Sequence, residues 1–336
     1  MLAEQQHGIA AIVARVIAWL LQRKLVRAAL LYTEQSGPRL ADGVTYRTLF
    51  SVFAGVLLGF SIAALWLSGN PEAWQALITA VNNVVPGLVG KGGVISAQSI
   101  DEPAAFTVAG IASLAVSLAT AIGAIGSLRV AFRSLTGAVY DDAFWLWVLL
   151  RNLALAIGVG VALAASAAVT MVGTAGLDLL SDMLGIGDTT PVVRVATRVF
   201  ITTVIFGLDA VMIAVMFRVL SGIRPSRRAL WSGATVGAVG LVVLQELSAL
   251  FVAGATRNEL LAVFGSLIAL LLWLNLSAQV ILFAAAYIIT GVEEDRNRVG
   301  ARYGATTFAE RRIKRAEVAV QKAVDELHSA REAAPQ

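Results

Sequence analysis

Five polar side chains stand inside long apolar stretches of this sequence, and they are the residues best suited to chemistry: Asp209, Gln245, Glu246, Asn275 and Gln279. The segment GSLIALLLWLNLSAQVILFAAAY, Gly265 to Tyr287, poses the problem plainly, since two amides interrupt a run that otherwise suits hydrocarbon. A charged carboxyl placed at the centre of a bilayer costs several kcal/mol, so such groups face a partner or a water-filled cavity. Asn275 and Gln279 are four residues apart and share one helical face, where they either hydrogen-bond a neighbouring helix or line that cavity. Arg194 and Arg198 lie ahead of Asp209 in its apolar stretch. At about 1.5 Å per residue, Asp209 falls near mid-depth, Gln245 and Glu246 toward one end, and the two amides toward the other. These seven residues form the candidate substrate or cavity set. The chemistry they suit is recognition of a polar or charged group within an apolar surround, or carriage of a proton.

Other chemistries find few residues. The chain has no cysteine, which removes disulfides, thiolate metal sites and a cysteine nucleophile together. Its two histidines, His7 and His328, stand near opposite ends, so no imidazole cluster is expected to hold a metal or complete a catalytic triad. No GxxxxGK[ST] phosphate loop occurs. The expectation is a protein with no catalytic residues, metal or cofactor and no nucleic-acid partner, which is not an enzyme.

The elements that position the polar residues follow from hydropathy. Of 336 residues, 58% are hydrophobic and 14% charged, and the mean hydropathy is +0.78, where a soluble domain carries about 25% charged residues. Crossing ~30 Å of hydrocarbon takes about 20 apolar residues in a helix. Six runs qualify: Thr48–Ser68, Ala105–Leu128, Leu153–Ala175, Val195–Val219, Trp231–Ala253 and Val263–Ile289. They are too long and too continuously apolar for barrel strands. The fold class expected is therefore an all-α integral membrane protein, a bundle of six transmembrane helices. Of the 26 Lys and Arg residues, 22 fall on one side of this arrangement, and only Lys91, Arg194, Arg198 and Arg257 on the other. Cytoplasmic flanks retain basic residues, so both termini are expected in the cytoplasm.

Three regions result. Residues 1–44 form an N-terminal cytoplasmic or interfacial segment, in which Ile9, Ile12, Val13, Val16, Ile17, Leu20 and Leu21 make one apolar helical face. Arg15 interrupts that apolar part and no small-residue cleavage site follows, so it does not read as a signal peptide. Such a helix either lies among anionic headgroups or packs on the bundle. Residues 45–291 form the transmembrane domain. Within it, Asn70 to Pro103 is the longest external connection and suggests a short surface helix ending before Pro86. Residues 292–336 form a cytoplasmic tail: Thr307 with Glu310 makes a capping box, and a thin stripe of Ile313, Ala316, Val320, Ala323 and Leu327 follows on a charged helix. That stripe suits a homo-oligomer contact or an envelope-protein partner. Small residues at four-residue spacing supply helix seams: Ala109, Ser113, Ser117 and Ala121; Ala154, Gly158, Ala162, Ser166 and Thr170; Gly233 and Gly237.

Several stretches are similar to the YihY/BrkB family of multi-pass bacterial membrane proteins, which includes the YhjD group. RPSRRALWSGATVGAVGLVVLQELSALFV carries the family's Arg-Pro, basic pair, Trp, Gly and buried Glu at Arg224, Pro225, Arg227, Trp231, Gly233 and Glu246. The runs Gly265 to Leu267, Leu272 to Leu274, and Ser277 with Ala278 resemble its Gly-Ser-Leu, Leu-Trp-Leu and Ser-Ala pattern. Tyr46 with Leu49 to Ser51, and the NNVVPGLV stretch, resemble its first span and its external Pro-containing helix. The chain departs from the pattern at Asn275, commonly an aromatic, and at Ala284, Ala285 and Ala286, where the family often has Gly-Ala-Glu. The resemblance implies a six-span inner-membrane protein of envelope integrity, with proposed lipid or lipopolysaccharide-precursor export in the YhjD group. The family's older label of ribonuclease is opposed by the residues, because metal-dependent RNA cleavage needs clustered carboxylates or histidines. Three functions stay open at this stage: binding or translocation of a lipid or other amphiphile, with anionic headgroups as partners; proton- or ion-coupled transport of a small solute; and a non-transporting scaffold.

Overall fold

The structure is a computed structural model, and it describes residues 15–67, 103–137, 144–184, 191–255, 259–296 and 307–333. Every regular element among them is an α-helix. Residues 15–21 end one helix, and eight helices follow: α1 Lys24–Glu34, α2 Gly37–Leu67, α3 Pro103–Thr136, α4 Trp145–Leu184, α5 Pro191–Leu220, α6 Arg227–Ala255, α7 Glu259–Arg296 and α8 Phe308–Ala333. The surface helix expected after Asn70, and most of the apolar face before Arg15, lie outside the described residues.

Among the described residues five stretches are long and apolar enough to cross a membrane: Leu114–Thr136, Trp145–Ala162, Arg198–Leu220, Arg227–Leu247 and Leu267–Arg296. The first expected span, Thr48–Ser68, falls mostly within α2, a helix of 31 residues. Between 11% and 33% of each of the five stretches is buried by the protein itself. Side chains such as Val130, Val161, Phe200 and Ile268 are more than 55% exposed, an amount of open apolar surface that water would not tolerate and lipid does.

Packing follows a simple order. Helix α2 lies against α3 and α7, α6 against α7 and α5, α4 against α5 and α3, and α1 across α7. The buried side chains gather at the end of the bundle where the arginine-bearing connections are. Phe132 of α3 and Phe217 of α5 are fully buried with ring centroids 5.7 Å apart, and Tyr32 of α1 meets Phe283 of α7 edge-on at 6.3 Å. Gly222, at φ +75, turns the chain between α5 and α6, a backbone region that glycine enters without steric penalty. Ser226 then caps α6: its Oγ accepts from Ala229 N at 3.1 Å and donates to Asp295 of α7 at 2.5 Å.

The α6–α7 seam has the close approach expected of Gly233 and Gly237. A methyl group built on Gly237 would stand 2.7 Å from both Ala284 Cβ and Ile213 Cδ1, and one on Gly240 would stand 2.7 Å from Val280 Cγ1. The stripe on α4 behaves otherwise. Ala154 and Gly158 are exposed, and nothing lies within 4 Å of a methyl built on Gly158. The spacing of small residues shows where close contact is permitted, and the rotation of α4 about its axis leaves Ala154 and Gly158 exposed while Ala162 and Ser166 are half-buried.

At the arginine-rich end α1 packs on the bundle. Arg27 of α1 is buried and pairs with Glu294 of α7. Lys24 Nζ lies 4.1 Å from the centre of the Tyr287 ring and donates to Ser232 Oγ at 3.4 Å. Burial pulls the Lys24 ammonium below its ordinary pKa, while the Glu294 and Asp295 carboxylates oppose the shift. Helix α8 is anchored by its first turn. Thr307 Oγ1 accepts from Glu310 N at 3.2 Å, which makes one half of the expected capping box, and Arg311 donates to Glu34 and to the Arg27 carbonyl, both at 3.3 Å. Ile313, Val320 and Leu327 of the α8 stripe are exposed.

Candidate functional site

The structure divides the polar series between two helix seams. On the first, α5 and α6 run side by side with Arg198 at the end opposite the arginine-rich connections. Arg198 Nη2 donates to Glu246 Oε2 at 2.6 Å, and the two side chains are 72% and 54% exposed. The neighbouring Gln245 side chain hydrogen-bonds the Asp209 carboxylate. Asp209 Oδ2 is buried and, among the described residues, has no hydrogen-bond partner. Eleven residues, or about 16 Å of helix rise, separate Arg198 from Asp209, which occupies the centre of its apolar stretch. Gln245 and Glu246 lie between them, so the four residues make a ladder from the helix end to mid-depth. The ladder can present a guanidinium, two carboxyls and an amide to a polar group while the flanking Val199, Phe200 and Val243 stay exposed and apolar. The Arg194 side chain lies outside the described ones.

The second seam holds the two amides. Asn275 Nδ2 of α7 donates to Asp42 Oδ1 of α2 at 2.8 Å and approaches Thr45 Oγ1 at 3.3 Å. Gln279 Nε2 donates to Asn275 Oδ1 at 2.6 Å, the i, i+4 contact expected of one helical face. Thr45 is itself buried and donates to the Ala41 carbonyl at 2.7 Å. Asn275 and Gln279 are half-buried. They therefore form a hydrogen-bonded tie between α7 and α2, and their side chains are not brought to the α5–α6 ladder.

Two partners, one in the α2–α7 seam and one between α1 and α7, escape sequence reasoning. Asp42 precedes the first expected span and reads as an ordinary flanking carboxylate; its only signal is the i, i+3 spacing with Thr45. Glu294 sits in a Glu-Glu-Asp run that suggests a solvated helix end, and only the position of α1 across α7 supplies it with the buried Arg27.

The amide tie carries a measurable coupling. Asn275→Leu is expected to destabilise the detergent-solubilised protein by about 1–2 kcal/mol, within the range for interhelical polar contacts in membranes. In a double-mutant cycle with Asp42→Leu, the two losses should add to more than the double variant shows. Strictly additive losses in thermal unfolding would mean that the 2.8 Å contact contributes nothing.

The comparisons with known proteins agree with this architecture. The family profile described as "Virulence factor BrkB" matches residues 29–304, a range that takes in both seams and helices α2 to α7. The chain belongs to the BrkB family. It is similar to "Inner membrane protein YhjD" of Escherichia coli (strain K12), with 23% identity over 288 residues covering 82% of each chain. It is also similar to an uncharacterized protein of Dickeya dadantii (strain 3937), with 25% identity over 273 residues covering 79% of this chain and 82% of that one. No solved structure matches it. This BrkB-family chain is a multi-pass membrane protein, built of several long apolar helices.

The family departures have structural reasons in this chain. Ala284, Ala285 and Ala286 are at most 1% exposed, and Ala284 lies where α7 touches Gly237. In the Gly-Ala-Glu pattern the acidic residue falls at Ala286, which is fully buried, so a longer acidic side chain there would have to displace its neighbours. Asn275, in place of the usual aromatic, is the donor of the α2–α7 tie. Among the described residues no group of three or more His, Cys, Asp or Glu is placed to hold a metal ion.

Proposed function

We propose that this chain is a six-span inner-membrane protein with both termini in the cytoplasm that binds or translocates a lipid or other amphiphile in support of envelope integrity. The observation that carries the reading is the α5–α6 ladder. An ion pair more than half exposed, Arg198 with Glu246, leads to a carboxyl at mid-depth with one unpartnered oxygen, and exposed apolar side chains run along both sides. Exposed charges at such positions are expensive against hydrocarbon and are tolerated where water, a headgroup or a ligand faces them. An amphiphile supplies both halves of that demand, its polar head to the ladder and its chain to the apolar flanks. The skew of 22 basic residues in 26 toward one side supports the orientation. The name of the Escherichia coli relative supports the inner membrane as the location. Membrane lipids are accordingly the proposed partners. No enzymatic step, cofactor or nucleic acid enters the proposal.

The test is movement or binding of labelled lipid by the reconstituted full chain. Wild-type proteoliposomes should move it, and Asp209→Asn and Glu246→Gln should each lower the rate by about tenfold or more, the loss of one charge-assisted contact. The reading fails if wild-type protein moves and binds no lipid while both variants fully restore a knockout strain. A second reading, proton- or ion-coupled transport of a small solute, is favoured by the unpartnered Asp209 Oδ2, since buried intramembrane carboxyls serve as proton relays. Its distinguishing sign is a substrate-dependent proton flux that Asp209→Asn abolishes.

A further inference from the structure

Helix α8 carries an apolar seam that nothing in the bundle covers. Ile313, Ala316, Val320, Ala323, Leu327 and Ala330 recur at intervals of three and four, the heptad spacing that keeps one stripe on one side of a helix. Ile313, Val320 and Leu327 are 60%, 64% and 48% exposed, and no other described helix packs along α8. The anchor of the helix explains this. Arg311, which holds α8 to Glu34 and to the Arg27 carbonyl, stands two positions before Ile313, about 200° around the helix. It therefore occupies the side opposite the seam and leaves the stripe open. The seam also lies beyond residues 29–304, the range that the family profile matches.

The residues bordering the seam select what can cover it. Arg312, Glu317, Glu326 and Arg331 flank it by heptad position, two of each sign. An anionic membrane surface would attract the arginines and repel the glutamates. A second copy of α8 satisfies both. Laid antiparallel, Glu317 falls opposite the partner's Arg331 and Arg312 opposite the partner's Glu326, and the twofold axis repeats each pair. Among the described residues Glu317 and Arg331 make no ion pair within their own chain. A parallel pair would also match the charges, so side-chain size decides the direction. Antiparallel helices set Ile313 against the partner's Ala330, Val320 against the partner's Ala323 and Leu327 against the partner's Ala316. Each layer then holds one large and one small side chain, which interdigitate without voids. A parallel pair would stack large on large and alanine on alanine in alternate layers.

We propose that α8 joins two copies of this chain through an antiparallel coiled coil, closed by the seam and bordered by the Glu317 and Arg331 pairs. From Ile313 to Ala330 the seam rises only about 26 Å, a length that holds free helices weakly. Attachment to a membrane-embedded bundle raises the local concentration of the second copy and populates the contact. The proposal rests on α8 alone and is independent of what the membrane helices bind or move.

The experiment is disulfide capture of the full chain in proteoliposomes under mild oxidation. The chain has no cysteine of its own, so every cross-link reports an introduced site. In Ala316→Cys with Leu327→Cys the two sulfurs of one helix are eleven residues, about 16 Å, apart, too far to join each other. The antiparallel pair brings each to its counterpart on the second copy, and a covalent dimer should form. Leu327→Cys alone should give little. Adding Glu317→Arg, or Arg331→Glu, to the two-cysteine chain should lower the dimer yield on the order of tenfold, since the twofold axis doubles each repulsion. Adding both reversals together should restore it. No dimer from the two-cysteine chain overturns the proposal, as does an equal dimer yield from Leu327→Cys alone. A paired charge reversal that fails to restore the yield assigns the seam to a different protein and overturns it too. Asp209→Asn and Glu246→Gln in the two-cysteine chain should dimerise as fully as the parent, so failure here and failure of the amphiphile reading are separate results.

Discussion

Replacing Gly237 with leucine is expected to separate α6 from α7 and leave little correctly folded protein. Even the first added carbon would stand 2.7 Å from Ala284 Cβ and from Ile213 Cδ1. An alanine Cβ cannot rotate away, so relief requires a shift of the α7 backbone, and α7 is tied to α1 and α2 along the same stretch. Overpacking a close-packed site costs about 1–3 kcal/mol, occasionally more. Gly237→Ala should fall in that range even though alanine is favoured over glycine in a helix by about 1 kcal/mol. Gly237→Leu, with three further carbons, should exceed it. Gly43→Ala is the control: nothing lies within 4 Å of a methyl group there, so it should be neutral or slightly stabilising. The monodisperse fraction after detergent extraction, followed by thermal unfolding, reads all three. A Gly237→Leu protein with wild-type stability would contradict the close packing of α6 on α7.

Glu294→Gln should be the next most damaging change. Arg27, whose side chain is 6% exposed, has Glu294 as a charged partner, and Lys24 stands close enough for its ammonium to feel both the Arg27 and Glu294 charges. Removing one member of a buried pair strands the other charge and costs about 3–5 kcal/mol, whereas replacing both with apolar side chains is often close to neutral. Glu294→Gln is therefore expected to lower stability by an amount near that range, and Arg27→Met with Glu294→Leu to recover most of it. The α8 helix offers a second readout. Arg311 donates to the Arg27 carbonyl and to Glu34, so loosening α1 should speed proteolysis between α7 and α8 in Glu294→Gln and less so in the double variant. Equal destabilisation by the single and double variants would show that side-chain volume, and not charge, holds α1 in place.

Reading the polar residues from the sequence succeeds in part, for a definable reason. Hydropathy identifies Asp209, Gln245, Glu246, Asn275 and Gln279 as out of place, because the cost of a polar group in hydrocarbon depends on its depth and little on its neighbours. The 3.6-residue period places Asn275 and Gln279 on one face, and they do contact each other. Periodicity within one helix carries no information about which helix that face meets. Asn275 therefore reads from sequence as part of a series with Asp209, while in the structure it reaches Asp42, more than 230 residues away in the chain. The small-residue stripes show the same limit. Gly233 and Gly237 are packed against α7, and the similarly spaced Ala154 and Gly158 are exposed. The apolar face from Ile9 to Leu21 left two settings open, headgroups or bundle, and most of it lies outside the described residues; α1, the helix that follows it, packs on α7 through Arg27 and Lys24.

The sequence by itself determined the helical class, the five described stretches long and apolar enough to cross a membrane, the polar residues that need an explanation, and the BrkB family motifs that run through α2, α6 and α7. Each of these depends on composition and order along one chain, and the bilayer imposes them as a length and a solvent. Tertiary structure alone decided the division of the polar series into an α5–α6 ladder and an α2–α7 tie. It also decided the burial of Arg27 beside Glu294. Those outcomes depend on the rotation of each helix about its axis and its register against its neighbours. Both are set by close contacts between side chains far apart in the chain, which no local pattern records.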